Sequence, residues 1–404
     1  MRLLVLIATW IAVFQSVQAA EPAGSKIWPE RARIFIQASP DVALPFIVEA
    51  APGRFEALAN RLDGSAQFLF RGGSASNRID LINSYSIVVT GADALRISSW
   101  EEVRSLWFIY RDMARTYVRA INGLAYALRT GPLPKAANLS LAPPASRIPQ
   151  LTYDPKEPFN RASRLVTQRG LIVVLAAGNG GPGVNSLSPW CRAPWVICVG
   201  AAASDGKTLW DRSARGDPAV PGDGPTVVAP GVDILTTHPP GVPKSAAMLE
   251  AEKRVGFDDM VPAEKRQTYT VVSGTSIAAP RVSGMVAQIL YYIQRMSELP
   301  VRGDKPDRTF AVIYNHEGQR PWAEVEREPR YAGEIKDFSG VRTAIYPLQA
   351  TWRVVKQILI DTALAMPGYE RHEVGAGFVH EDVVKNYFGA FGNVDIEIQP
   401  VKIR

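Results

Sequence analysis

The unbroken apolar segment Leu171–Ala176 restricts the possible folds of this chain more than any other feature. A strand that reads as a continuous apolar run is typical of a parallel sheet covered on both faces. Two further apolar segments, Trp195–Ala201 and Thr226–Ala229, follow it, and a short strand is predicted before it at Ala137–Leu141. Because helical patterns alternate with these segments, the sequence predicts an α/β fold with a parallel sheet between layers of helices.

Four helices are predicted around this sheet from apolar residues spaced three and four positions apart. They are Ile109–Leu128, Asn160–Arg169, Ser276–Met296 and Trp352–Ala363. The apolar face of the first helix consists of Met113, Tyr117, Ala120, Ile121, Leu124 and Leu128.

In residues 31–108, short predicted strands are mixed with two predicted helices. This pattern predicts a small α+β unit with an antiparallel sheet. Strands are predicted at Arg33–Gln37, Pro45–Ala50, Gln67–Arg71 and Ser84–Thr90. Helices are predicted at Gly53–Leu62 and at Ser99–Leu106, which opens on Ser-Trp-Glu-Glu, a plausible helix N-cap.

Residues 1–20 have the order of a secretory signal peptide. Arg2 precedes an apolar run from Leu3 to Phe14, and small residues stand at Ala19 and Ala20. The run is too short to cross a bilayer, and a buried N-terminal helix is the alternative. We expect export, cleavage after Ala19 or Ala20, and a secreted or periplasmic chain without a membrane span.

Composition and charge exclude several classes of protein. With 404 residues, 47% of them apolar and 21% charged, the chain is typical of a globular protein and not of a disordered or coiled-coil one. The net charge of +6 comes from scattered Lys and Arg, which argues against nucleic acid as a partner.

Cys191 and Cys198 are the two cysteines. In an exported protein they can form a disulfide, and free buried thiols are equally compatible with their spacing. Because no His lies near them in the sequence, a zinc site is not expected. Neither a cofactor nor a metal cluster is predicted elsewhere.

Two charged stretches, residues 239–267 and 301–346, interrupt the alternation of strands and helices. We interpret both as surface insertions made mainly of solvated loops, the first with a short helix.

The segment from Ser273 to Pro280, with the sequence Ser-Gly-Thr-Ser-Ile-Ala-Ala-Pro, carries the strongest chemical signal. Ser276 follows a Gly-Thr turn and opens an apolar helix. Unpaired backbone N–H groups at a helix N-terminus suit an anion that develops beside the Ser oxygen. A Ser at a helix start is also a common N-cap.

The second signal is the segment Ala176-Ala177-Gly178-Asn179-Gly180 after the apolar strand. An Asn at the carboxyl end of a parallel strand lies where α/β folds place their sites. Its amide group can donate a hydrogen bond to an oxyanion. The alternative is an ordinary Asn-Gly turn.

Together and in this order, these segments resemble the subtilisin family of serine endopeptidases. The resemblance implies that Ser276 is a nucleophile and that Asn179 donates to the oxyanion. It also implies a groove for a peptide or protein substrate, lined by Ser140, Leu141, Ala142, Ala177 and Gly178. Ala142 stands where the family has Gly, and its methyl group would hinder the approach of a peptide backbone.

The resemblance extends over most of the chain outside the two insertions. It implies a three-layer subtilisin-like domain over residues 109–390, preceded by a prodomain-like unit over residues 31–108. In the family, such a unit helps the protease to fold and inhibits it.

The sequence departs from the family where a general base is needed. The four histidines are His238, His316, His372 and His380, and none precedes Asn179. In the family, the His that takes the Ser proton and the Asp that orients it both come earlier. Without a base, a Ser hydroxyl is a poor nucleophile at neutral pH. The absent block also holds sheet strands in the family, so its loss predicts an exposed sheet edge.

Three hypotheses follow. The chain is an exported pseudoenzyme that binds peptides, or an active endopeptidase with a substitute base such as His238 or His316, or a deletion product without a function of its own. His372 and His380 are interpreted as structural.

Overall fold

The computed structural model of the chain describes residues 26–28, 32, 36–37, 40–71, 73–109, 114–129, 136–141, 153–298, 309–314, 335–338, 341–347 and 350–382. It consists of two compact units, which divide between Val118 and Arg119. The signal-peptide prediction for residues 1–20 lies outside the described residues.

The N-terminal unit is built on a six-stranded sheet with β1 (Ile27–Trp28), β2 (Ala43–Ala50), β3 (Gln67–Phe68), β4 (Arg78–Ile79), β5 (Ser84–Thr90) and β6 (Val103–Phe108). The strand order is β1-β6-β2-β5-β3, and β4 also pairs with β5. All pairs are antiparallel except β1 with β6. The helices are α1 (Phe55–Asp63), α2 (Gly73–Ser76) and α3 (Gly91–Ser98), with a 3-10 turn at Asp80–Ile82. The unit therefore combines α and β elements around a mainly antiparallel sheet, as the sequence predicts.

The predicted helix Ser99–Leu106 is wrong. The helix of this region is α3, whose N-cap Thr90 accepts a hydrogen bond from the backbone N–H of Asp93 at 3.1 Å. The following segment forms β6, which pairs with the central strand β2 and buries Val103 and Leu106. Burial in the sheet overrides the local N-cap signal, because tertiary packing outweighs propensity over so few residues.

The predicted strand Arg33–Gln37 is also wrong where the structure describes it. Ile36 and Gln37 are helical, and residues 33–35 lie outside the described residues. Ile36 is fully buried. It packs closely on Gly91, because a Cβ atom on Gly91 would lie only 2.7 Å from the carbonyl oxygen of Ile36. A contact with the start of α3 therefore buries this apolar residue, where the sequence pattern suggested a sheet.

The C-terminal unit contains a four-stranded parallel sheet of order β10-β9-β8-β7. Its strands are β7 (Ala136–Leu139), β8 (Ile172–Ala176), β9 (Val196–Ala202) and β10 (Val227–Pro230), and later in the chain come β11 (Ile234–Thr237), β12 (Tyr269–Val272), β13 (Thr309–Tyr314), β14 (Ile335–Phe338) and β15 (Val341–Pro347). The helices are α4 (Ala114–Arg129), which crosses the division between the units, α5 (Pro158–Gln168), α6 (Ala246–Val255), α7 (Phe257–Met260), α8 (Thr275–Glu298), α9 (Trp352–Thr362) and α10 (Arg371–Val374). Short 3-10 turns lie at Pro189–Arg192 and Ala263–Lys265.

Every residue of β8 and β9 is buried, as expected of strands covered on both faces. One face packs on α8 and α9, where Val174 and Val199 join Val282 and Ile358 in one apolar cluster. The other face carries the alternate residues of the strands and contacts α5. The predicted three layers with a parallel sheet in the middle are confirmed.

Cys191 and Cys198 form a disulfide with their Cα atoms 5.2 Å apart. Cys198 lies in β9 and Cys191 in the 3-10 turn before it. This resolves the two alternatives that the spacing allows. Trp190, the residue before Cys191, stacks on Phe159 with the ring centroids 3.9 Å apart.

The strand β7 has a single partner, β8, within the described residues. The sheet edge formed by β7 therefore carries no further strand there. None of the helices within the described ranges is long and apolar enough to cross a membrane.

Within the described residues, both predicted insertions contain regular secondary structure. Residues 239–267 form α6, α7 and a 3-10 turn, which pack through Ala251, Phe257 and Val261 against Val271 of β12. Within residues 301–346, the strands β13, β14 and β15 form an antiparallel sheet of order β13-β15-β14, which ends at residue 347. The sequence of β13, Thr-Phe-Ala-Val-Ile-Tyr, is rich in β-branched and aromatic residues, and this signal outweighs the surrounding charge.

Candidate active site

The side chain of Asn179 is held by the residue before Ser276. Its Oδ1 accepts hydrogen bonds from the backbone N–H of Thr275 at 3.1 Å and from its hydroxyl at 2.8 Å. The backbone N–H of Gly178 donates in turn to Thr275 Oγ1 at 3.1 Å. Because a backbone N–H can only donate, the oxygen of the amide must face Thr275. The NH₂ group of Asn179 is therefore directed away from it.

The hydroxyl of Ser276 and the NH₂ group of Asn179 face the same space beside Gly274. A Cβ atom on Gly274 would lie 3.0 Å from Ser276 Oγ and 3.6 Å from Asn179 Nδ2. Ser276 stands in the first turn of α8, where backbone N–H groups have no helical partner. The arrangement can place an electrophilic carbon next to Ser276 Oγ with a hydrogen-bond donor beside its oxygen.

The carbonyl of Ser276 receives its hydrogen bond from outside the helix. In α8 its regular donor is the N–H of residue 280, but that residue is proline and has none. The hydroxyl of Ser140 donates to Ser276 O instead, at 2.8 Å. Ser140 also accepts a hydrogen bond from Asn138 Nδ2 at 3.0 Å. The end of β7 is thus fastened to the residue that carries the candidate nucleophile.

A second set of contacts holds the segment before Ser276 to the residues after β10. The hydroxyl of Ser273 donates to Asp233 Oδ1 at 3.1 Å and accepts from the backbone N–H of Asp233 at 2.9 Å. Arg254 of α6 binds the same carboxylate with two hydrogen bonds, at 2.9 and 2.8 Å. Hydrogen bonds from Arg254 and Ser273 hold the pKa of Asp233 below its usual range. The first insertion is therefore anchored to the Ser276 segment through one carboxylate.

The structure does not bring His238 to Ser276. His238 continues the β11–β12 ladder at its far end, where its N–H donates to Thr268 O at 2.7 Å. The other end of the ladder reaches Val272, four residues before Ser276. At about 3.3 Å per strand residue, His238 lies on the order of 13 Å along the ladder from that end. Its ring Nε2 is 2.8 Å from Val242 O, and the residue is buried.

The other histidines have their own surroundings. His372 Nδ1 lies 3.2 Å from Glu370 Oε2. His380 stacks on Phe378 and lies between the carboxylates of its two following residues, Glu381 and Asp382. His316 lies outside the described residues. No histidine in the described ranges hydrogen-bonds to Ser276 Oγ.

The predicted groove residues lie at the carboxyl ends of β7 and β8. Leu141 is exposed beyond Ser140, and Ala177 and Gly178 lead from β8 to Asn179. Gly178 has a φ of +110°, which only glycine adopts readily. Ala142 lies outside the described residues, so the structure does not place its methyl group.

Sequence reasoning missed the residues that hold the site together. Thr275, Ser273 and Arg254 contact the candidate residues or their neighbours but perform no chemistry that a motif would reveal. Thr275 was visible in the motif, since it precedes Ser276. Arg254 lies in an insertion and carries no local signal. No group of three or more potential metal ligands occurs in the part of the chain that the structure describes.

Comparison with known proteins agrees with this geometry. The model of the Subtilase family matches residues 111–303. This range includes Ser140, Asn179 and Ser276.

Individual relatives match over shorter stretches. "Serine protease AprX" of Bacillus subtilis (strain 168) is 31% identical over 144 residues, which are 34% of this chain and 30% of the relative. "Subtilisin Savinase" of Lederbergia lenta is 28% identical over 166 residues, which are 41% of this chain and 45% of the relative. The chain thus spans less than half the length of each of these relatives.

Among solved structures, the self-cleaved protease domain of PatA is similar with a TM-score of 0.39 and 20% identity. The similarity covers 68% of this chain and 67% of that domain.

Proposed function

We propose that this chain, whose residues 111–303 match the model of the Subtilase family, is a subtilisin-like, exported peptide-binding protein with a strongly weakened hydrolytic site. Ser276 is the nucleophile of this site and Asn179 is its oxyanion donor. Ser140, Leu141, Ala142, Ala177 and Gly178 line the peptide groove. Residues 31–108 form a prodomain-like unit that stays attached, because self-cleavage requires activity.

The observation that carries the proposal is the position of two polar groups around Gly274. Ser276 Oγ and Asn179 Nδ2 both lie within 3.6 Å of the point where a Cβ on Gly274 would sit. Because Gly274 has no side chain, it leaves the space beside the Ser276 hydroxyl and the Asn179 amide open. A peptide carbonyl placed there meets a hydroxyl on its carbon and an amide donor on its oxygen, which is the arrangement that acyl transfer requires.

We expect hydrolysis to be weak, because no histidine within the described residues hydrogen-bonds to Ser276 to take its proton. The chain has no histidine before Asn179, and His238 lies at the far end of the β11–β12 ladder. Loss of a triad member typically lowers kcat by about four orders of magnitude, and an oxyanion donor leaves a residual rate. Peptide binding needs no base and is therefore retained.

Export is supported by the signal-like residues 1–20 and by the bridge between Cys191 and Cys198. Structural disulfides persist in secreted and periplasmic proteins and are rare in reducing compartments.

The test is labelling of the purified mature chain with a fluorophosphonate, which reacts only with an activated Ser. We expect no label at Ser276 by mass spectrometry in a sample that unfolds cooperatively. Label at Ser276 that disappears in Ser276→Ala would overturn the inactive assignment and establish an active peptidase with another base.

Peptide binding is tested separately with a fluorescein-labelled tetrapeptide, Ala-Ala-Pro-Phe, followed by fluorescence anisotropy. We expect binding that Leu141→Asp removes, because the substitution places a charge in the apolar groove. Leu249→Asp is the matched control, since Leu249 is an exposed leucine on α6. Absence of binding to the folded chain would support the hypothesis of a deletion product without function.

A further inference from the structure

A second cleft, of about 1150 Å³, lies in the C-terminal unit away from Ser276. It is lined by the loops before β9 and β10, by the second half of α5, by one side of α9 and by Arg371 of α10. Trp195 directly precedes β9, and Thr226 directly precedes β10. Asn179, in contrast, follows the carboxyl end of β8. Because these strands are parallel, the cleft lies towards the opposite edge of the sheet from the candidate active site.

The walls of this cleft carry an excess of positive charge. Within the described part of the chain, five cationic side chains and two carboxylates line it: Arg164, Arg192, Arg353, Lys356 and Arg371, with Asp217 and Asp223. We refer to it as the cationic cleft.

The two carboxylates are already engaged within the protein. Asp223 accepts hydrogen bonds from Arg192 Nε at 3.0 Å and Nη2 at 3.1 Å, and also from the backbone N–H of Asp217. Asp217 Oδ1 accepts from the backbone N–H of Ala219 at 2.9 Å. The net positive charge therefore lies on the walls formed by α5, α9 and α10. Such walls repel a metal cation and attract carboxylates or phosphates.

Aromatic rings stand among these cations. The guanidinium of Arg164 lies 5.8 Å from the ring centroid of Trp195, and that of Arg353 lies 5.1 Å from the ring centroid of Trp352. Tyr153 packs edge-on against Trp195 with centroids 5.8 Å apart. Lys356 fixes α9 against this wall by donating to the carbonyls that flank Trp195, at 3.0 and 2.8 Å. The cleft thus combines cationic groups with aromatic side chains on a fixed frame, and Trp352 is the partly exposed tryptophan of its wall.

We propose that the cationic cleft binds an acidic peptide segment that carries an aromatic side chain. Carboxylates of the segment pair with Arg164 and Arg371, and its ring packs beside the partly exposed Trp352. The cleft exceeds the volume of about 300–1,000 Å³ typical of sites that enclose a small ligand, and it is open to solvent, which suits an extended chain. The site is separate from Ser276, and its occupation requires no hydrolysis.

The experiment measures binding of Glu-Glu-Tyr-Glu-Glu-amide, with fluorescein attached to its N-terminal amine, to the mature chain. The peptide Gln-Gln-Tyr-Gln-Gln-amide, labelled in the same way, tests the need for charge, and Glu-Glu-Ala-Glu-Glu-amide tests the need for the ring. Arg164→Gln and Arg371→Gln are each expected to raise the Kd of the first peptide about tenfold, the effect of one lost charged contact. Arg212→Gln is the matched control, because Arg212 is exposed and lies 5.6 Å from the ring of Trp210 outside the cleft.

Leu141→Asp, which alters the proposed active-site groove, is expected to leave this Kd unchanged. A loss of binding in Leu141→Asp alone would assign the peptide to the groove and overturn the proposal. If Arg212→Gln and Arg164→Gln raise the Kd equally, the peptide is held by unspecific charge attraction. This result would also overturn the proposal. Inorganic tripolyphosphate is the remaining probe. The proposal fails if tripolyphosphate displaces the peptide and if the acidic peptides with Tyr and with Ala at the centre bind equally. The cleft would then be a phosphate site and not a peptide site.

Discussion

Asn179 and Thr275 directly connect the two segments that carry the candidate chemistry. Thr275 offers both its backbone N–H and its hydroxyl to Asn179 Oδ1, at 3.1 and 2.8 Å, and its oxygen accepts the N–H of Gly178. Thr275 is almost fully buried, so these bonds form in a setting where an unpaired polar group is costly. The orientation of the Asn179 amide is therefore a property of the fold and precedes any contact with a ligand.

Thr275→Val is expected to destabilise the chain by about 1–3 kcal/mol, because the isosteric side chain leaves the N–H of Gly178 without its acceptor. Urea unfolding measures this loss, provided that the slope of the free energy of unfolding against urea concentration is the same for the variant and the parent. Thr268→Val is the control, since the hydroxyl of Thr268 is exposed and bonds only to Lys265 O. Equal stability of both variants would show that the Thr275 hydroxyl contributes nothing.

Arg254→Met is expected to lower stability at neutral pH by about 0.5–1 kcal/mol, a small value because Arg254 is half exposed. The pKa of Asp233 is lowered in the folded chain, mainly by Arg254. Stability from this pair is therefore present above the unfolded pKa of Asp and is lost as pH falls through the folded pKa. The Tm difference between Arg254→Met and the parent should shrink on acidification.

The control for this pair is Arg281→Met, because Arg281 lies 3.8 Å from Glu381 at a partly exposed position. Its Tm should follow that of the parent. A difference for Arg254→Met that persists unchanged at acid pH would exclude Asp233 as the partner responsible.

Glu157 gives the opposite pH dependence. It is the N-cap of α5 and accepts the backbone N–H of Asn160 at 2.7 Å. Burial raises the pKa of Glu157 to about 7. The folded chain therefore keeps a proton that the unfolded chain releases, and stability falls as pH rises from about 4.5 through 7.

Glu157→Gln keeps an oxygen for the cap and removes the titration. Between pH 5 and about 8, the Tm of this variant should fall less than that of the parent. Glu264→Gln, at an exposed position, is the control. Parallel Tm curves for Glu157→Gln and the parent would show that Glu157 keeps an ordinary pKa.

The parallel sheet of the C-terminal unit was predictable because its strands are apolar on both faces. Leu171–Ala176 could fold in few other ways, and the observed strand Ile172–Ala176 differs by one residue. In the N-terminal unit, β1, β3 and β4 have only two residues each, and β5 carries serine at two of its buried positions. The N-cap signal at Ser99 therefore led to a wrong prediction of a helix. The segment forms β6 because it pairs with β2, and its own sequence does not indicate that pairing.

The candidate site was predictable only in part, for a related reason. Ser276 and Asn179 stand in motifs whose backbone geometry is local. The contacts between Ser140 and Ser276 and between Arg254 and Asp233 join residues far apart in the chain. Such pairs depend on the packing of whole elements and leave no pattern in one sequence.

Ser140 and Pro280 are linked through the carbonyl of Ser276, and this link can be measured. Proline at position 280 removes the helical donor of that carbonyl, and the Ser140 hydroxyl replaces it at 2.8 Å. Ser140→Ala is therefore expected to cost about 1–3 kcal/mol in the free energy of unfolding, because the Ser276 carbonyl loses the donor that replaces its regular helical one. Urea unfolding again provides the measurement.

The same substitution should cost less in a Pro280→Ala background. Alanine restores the N–H of residue 280, which can then donate to Ser276 O within the helix, so the Ser140 hydroxyl becomes redundant. A double-mutant cycle isolates this effect, because the two residues share one acceptor and their coupling energy is expected to be about 0.5–3 kcal/mol. Ser283→Ala with Pro280→Ala is the control cycle, since Ser283 Oγ bonds to Ala279 O and Asn138 Oδ1 and not to Ser276. A coupling energy of zero between Ser140→Ala and Pro280→Ala would mean that the Ser140 hydroxyl does not replace the missing helical donor.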